Sequence, residues 1–74
     1  MTKRDIDIAY FLSFCIEQYK KHKNTSGSDV MSLFIQYGID KYLTENFEIL
    51  HSQSRQWLME EIDEYIEQVK EVNR

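Results

Sequence analysis

The one cysteine and the two histidines, Cys15, His22 and His51, are the first residues to weigh as nucleophile, base or metal ligand. A cysteine becomes a nucleophile when a neighbouring base takes its proton, so Cys15 with His51 is the pair to weigh. Cys15, however, falls on an apolar helical stripe, where cysteine behaves as a small buried hydrophobe. His51 stands between Leu50 and a helix start, where an imidazole bonds to nearby backbone. Glu60 and Asp63 could reach it only through folding. A zinc site needs ligands at short spacing, and the one cysteine and two histidines are widely separated. Glu60 shares a helical face with Asp63 and with Glu64, but the Glu-x-x-His motif of a di-metal bundle is absent. Gly27 precedes a helix without the repeated glycines or adjacent lysine of a phosphate cradle. No catalytic residue, metal ligand or cofactor is assigned, and the expectation is a protein that is not an enzyme.

The remaining chemistry is charge. Between Ser52 and Val72, Glu60, Glu64, Glu67 and Glu71 repeat at helical spacing as one acidic stripe. Like charges four apart oppose a helix by roughly 0.2–0.5 kcal/mol per pair. Glu60–Glu64 and Glu67–Glu71 have that spacing, and Lys70 relieves only Glu67. An unrelieved stripe suits a basic surface on another protein. Trp57 opens the same helix and is the aromatic candidate for a binding anchor, although packing against the first helix is the favoured reading. The expected partner-binding set is Glu60, Glu64, Glu67, Glu71 and Trp57.

The same segment must bury another face. Leu58, Ile62, Tyr65, Val69 and Val72 alternate by four and three, which aligns them on one side of a helix. A match comes from the N-terminal segment, where Ile8, Leu12, Cys15 and Tyr19 form a stripe widened by Ala9, Phe11 and Ile16. Tyr10 and Phe14 lie off that stripe, so the first helix is either sandwiched between neighbours or covered in a dimer. Thr2 and Asp5 have capping-pair spacing. Lys20, Lys21, His22 and Lys23 close the helix at its negative dipole end and read as a solvated last turn. Ser26 with Asp29 starts a second helix, which Gly38 ends with a left-handed cap. A short helix follows over residues 39–45. Thr44 to Asn46 break it, a less regular link runs through Phe47 to Leu50, and Ser52 or Ser54 caps the last helix.

The totals agree with one small all-α domain over residues 1–74. The chain lacks proline and has two glycines, too little turn chemistry for a sheet protein. At 42% hydrophobic and 14% aromatic residues it is too apolar for a disordered chain. The expected architecture is a helical bundle of two long helices, about 4–23 and 53–72, with one or two short helices between them. A domain this small hides only about 60% of its unfolded surface, so a homodimer is a natural supplement. The net charge of −4 divides unequally: residues 1–41 carry six basic and five acidic side chains, residues 42–74 three and eight. That balance disfavours binding to nucleic acid. No apolar run is long enough for a membrane span and no signal-peptide core is present. One cysteine fits a reducing compartment, and the expected location is the cytoplasm.

Phe11 to Tyr19, Leu33 to Gly38, Phe47 to Ser54 and Ile62 to Ile66 together resemble a small bacterial family, the domain of unknown function 3791. Its pattern is aromatic–x–x–Leu–His–Ser/Thr before a terminal acidic helix, matched here by Phe47, Leu50, His51 and Ser52. The resemblance implies a short helical protein. It also implies a gene often found beside an ADP-ribosyltransferase-like family, as in toxin–antitoxin pairs.

The functional expectation is a non-catalytic protein-interaction module, the regulatory or antitoxin-like half of a two-gene system. One alternative is a small acidic inhibitor that mimics nucleic acid. Another is a helix-turn-helix DNA binder built on Val30–Tyr37, Gly38 and Ile39–Glu45, a segment whose one basic residue is Lys41.

Overall fold

The computed structural model describes residues 1–72 as five helices: α1 (Lys3–Lys23), α2 (Gly27–Tyr37), α3 (Ile39–Glu45), α4 (Phe47–Leu50) and α5 (Arg55–Val72). The fold is a small all-α bundle in which α1 packs on α2, α3 and α5, and α5 also packs on α3.

Local chemistry sets the boundaries. The Thr2 hydroxyl accepts from the Asp5 N–H, and the Asp5 carboxylate accepts from the Thr2 N–H, each at 3.2 Å, so the predicted capping box is complete. Asn24 ends α1 in the left-handed region at φ 52°, a conformation asparagine tolerates. Ser26 caps α2 by accepting from the Asp29 N–H at 3.1 Å. The carboxylate of Asp29 accepts from the Thr25 hydroxyl instead of closing a second box.

Gly38 lies at φ 68° and serves at once as C-cap of α2 and N-cap of α3. With no side-chain cap there, the turn depends on a residue that adopts positive φ without strain. The break after α3 falls at Asn46, whose side-chain amide donates to the Tyr42 carbonyl, while the Thr44 hydroxyl donates to that of Asp40. Both bonds fold a polar side chain back onto the preceding turn of α3, as Thr and Asn do where they compete with the helix, and the chain turns there into the single turn of α4. Ser54 caps α5: its hydroxyl accepts from the Trp57 N–H at 3.1 Å.

The core consists of Phe11, Cys15 and Tyr19 from α1, Val30 and Phe34 from α2, Ile39 and Leu43 from α3, Phe47 and Leu50 from α4, and Leu58, Met59, Ile62 and Ile66 from α5. Two stripes read from spacing are rotated. In α5 the buried set is Leu58, Met59, Ile62 and Ile66 rather than the Leu58–Val72 stripe; Tyr65 and Val69 are half-buried and Val72 is 83% exposed. The shift is about half of one residue's step around the helix. Tyr65 stacks on Tyr42 at the core margin, ring centroids 4.3 Å apart, and the last turn of α5 leaves the core behind. In α1, Ile8, Leu12 and Ile16 are half-buried, Ala9 is exposed, and Phe11 takes the central place, its ring edge-on to Phe47.

Candidate functional site

The acidic side of α5 comes first, because helical spacing alone brings its residues together. Trp57, Glu60 and Glu64 share a shallow depression of about 250 Å³ with Glu61. Glu64, Glu67 and Glu71 line a second of about 280 Å³ with Gln68. Glu64 belongs to both, so the five expected residues lie along one continuous ridge, to which the structure adds Glu61. Partners within the ridge are weak: Gln56 donates to Glu60 at 3.0 Å, Gln68 to Glu64 at 3.4 Å, and Lys70 approaches Glu67 at 3.7 Å. Trp57 is not in the core. It is 38% exposed, and the α5 face turned inward belongs to Leu58 and Met59.

Folding also assembles a cluster that spacing did not disclose. Asp63 points at the last turn of α1, where the Tyr19 hydroxyl donates to its Oδ1 at 2.6 Å. His22 Nε2 lies 2.8 Å from Oδ2, and Lys23 Nζ 3.1 Å from Oδ1. Half of the basic run is thus tied to α5, although Lys21, His22 and Lys23 all remain exposed, as the solvated last turn was expected to be; Lys20 meets Glu17 within α1 at 3.0 Å. Burial pushes the Asp63 carboxyl up, but the hydrogen bonds from Tyr19, His22 and Lys23 and the charge of Lys23 outweigh it and hold the group below the ordinary carboxylate range. Tyr19 moves the other way: burial, then its bond to Asp63 and the charges of Asp63 and Glu67, keep the phenol protonated. Within the cluster Tyr19 is thereby held as donor and Asp63 as acceptor at neutral pH. The cue available in the sequence was position, since Asp63 sits beside Ile62 at the margin of the apolar face and off the acidic stripe.

His51 has the backbone role expected of it. Its Nδ1 bonds the Phe47 carbonyl at 2.7 Å and its ring stacks on that of Phe47 at 4.5 Å. It lines a cleft of about 580 Å³ between α1 and α4, where Arg4 pairs with Glu48 at 2.9 Å. Cys15 is fully buried, and burial pushes its thiol up to about 12. A protonated core thiol is no nucleophile at neutral pH. Among the described residues, no three His, Cys, Asp or Glu side chains converge as metal ligands. No helix there is long and apolar enough to cross a membrane. In α3, Ile39 and Leu43 are buried and only Lys41 and Glu45 are fully exposed, a narrow surface for reading DNA.

Neither the curated proteins nor the solved structures contain a match to this chain. A family model does match it, over residues 10–68, from the first half of α1 to the last turns of α5 and so through every core element. The chain belongs to the family described as "Protein of unknown function (DUF3791)".

Proposed function

We propose that this protein is a non-catalytic interaction module that binds a basic surface of another protein through the acidic ridge of α5. The observation that carries the reading is the ridge itself, with Trp57 exposed among Glu60, Glu61 and Glu64 and the acids continuing through Glu67 and Glu71. An exposed indole supplies apolar area and a face for an arginine or lysine, and the carboxylates supply charge complementarity and steering. Repulsion among these acids is relieved when a cationic surface covers them, so the partner recovers a cost present in the free helix. The same reading extends to a regulatory or antitoxin-like role in a bacterial two-gene system, on the gene neighbourhood that the family resemblance implies. The single reduced cysteine suits action in the cytoplasm.

The test is capture of partner protein from the native cells with the tagged chain, beside a Glu60→Lys/Glu64→Lys/Glu67→Lys variant. These side chains are surface groups, so the variant should retain its helical circular dichroism. A basic protein retained by the wild type and lost from the variant is the expected result, with binding weakened at least about a hundredfold. Equal retention by both would end the reading. Competition of the captured protein by duplex DNA would instead favour the nucleic-acid mimic, which uses the same ridge.

A further inference from the structure

We infer that the chain also pairs with a second copy of itself through the outward face of α1, the two helices running antiparallel and meeting at Tyr10. This surface lies on a different helix from the acidic ridge and does not depend on it. Ile6, Tyr10 and Phe14 recur every four residues along α1 and are 42%, 72% and 41% exposed. Their spacing puts them on one stripe, turned away from the face that buries Phe11, Cys15 and Tyr19. A helix with apolar side chains on two faces has two to cover, and α2, α3 and α5 together cover only the one that holds Phe11, Cys15 and Tyr19.

The pattern around the stripe identifies the second partner as a copy of the same chain. In an antiparallel pair centred on Tyr10, a two-fold axis sets Tyr10 against its own copy, and Ile6 comes level with Phe14 of the other chain. The same register brings Lys3 level with Glu17, so the opposite charges at the two ends of the face meet across the interface. Within one chain these groups have only exposed partners: Lys3 reaches Asp7 at 3.5 Å and Glu17 reaches Lys20 at 3.0 Å. Such pairs are held weakly and exchange readily. Overall charge favours the same face. Residues 1–41 carry six basic and five acidic side chains against three and eight beyond them, so α1 is where two acidic molecules approach with least repulsion.

Sedimentation equilibrium of the full chain across the micromolar range tests the pairing. The wild type should approach twice the mass of one chain as concentration rises. Tyr10→Glu sets two carboxylates against each other on the axis and should raise the dimer dissociation constant at least about tenfold. Its helicity should be unchanged because the side chain is mostly in solvent; Tyr10→Ser serves if the glutamate variant loses helicity. Lys3→Glu should weaken the dimer, and Lys3→Glu combined with Glu17→Lys should restore it. A wild type that stays monomeric, or a dimer indifferent to both Tyr10 variants, would overturn the proposal. A charge exchange that fails to restore pairing would overturn the register.

Discussion

Replacing Ile62 by alanine should cost about 2–5 kcal/mol, the range for removing a large aliphatic side chain from a tightly packed core. Ile62 is fully buried, one helical turn from Leu58 and from Ile66 and flanked by Met59, where few neighbours can move to fill the space. A domain of 74 residues holds together by only about 4–11 kcal/mol. The loss should therefore lower the melting temperature by roughly 8–40 °C, at about 4–8 °C per kcal/mol. Val72→Ala is the control. Helical spacing sets Val72 on the same stripe as Ile62, but it is 83% exposed, so its truncation should change stability by no more than about 0.5 kcal/mol. Thermal melts of the two variants followed by circular dichroism decide the matter. Equal shifts would mean that α5 sits on the bundle with the rotation its periodicity suggested.

The second large effect is expected at Asp63. Asp63→Ala leaves the hydroxyl of buried Tyr19 without its acceptor and releases His22 and Lys23 from α5. Stranding one buried hydroxyl costs about 1–3 kcal/mol. Asp63→Asn keeps a carbonyl oxygen for Tyr19 and should cost less, the difference reporting the charge. The pH dependence has a definite sign. Asp63 titrates lower in the folded chain than in the unfolded one, so the unfolded state binds the proton more readily. Its contribution is fully present above the ordinary carboxylate range near pH 4 and is lost as pH falls through the lowered folded value. In urea melts at successive pH values, the gap between wild type and Asp63→Ala should narrow as the pH falls through the acid range in which Asp63 is protonated. A gap that widened toward acid would contradict the geometry of the cluster.

This clamp bears on the interaction surface. Tyr19, His22 and Lys23 fix the rotation of α5 on α1, and with Asp63 held inward the acidic ridge points away from the core. On the proposed reading, a partner would meet carboxylates on a helix rather than on a loop, which limits the ordering cost of binding. Asp63 variants should therefore weaken partner capture less than ridge variants do, but not leave it untouched.

Much of the fold was legible in the sequence, because its causes are local. The capping box at Thr2 and Asp5, the left-handed turn at Gly38, the break at Asn46 and the serine before α5 each follow from bonds within a few residues. The acidic ridge was legible for the same reason: residues three and four apart on a helix are neighbours whatever else the chain does. The all-α bundle, the buried Cys15 and the backbone-bound His51 followed from such readings, whereas Phe47 to Leu50, expected as a less regular link, form the turn of α4 and make three short helices where one or two were expected.

What local spacing could not decide is how each helix is turned about its own axis, since periodicity fixes a face only to within about one residue's step. Packing makes that choice: in α5 it buried Met59 and Ile66 ahead of Val69 and Val72, and in α1 it moved Phe11 from the edge of the stripe to its centre while Ile8 and Leu12 pack at the core's margin. The same docking left Trp57 outside and brought Asp63 within reach of Tyr19 and His22, contacts that span 44 and 41 residues of chain. The sequence by itself therefore determined the helices, their ends and the acidic ridge. The tertiary structure decided the last fraction of a step in how each buried face is turned, and which distant side chains meet there, because both depend on the combined shape and polarity of surfaces far apart in the chain.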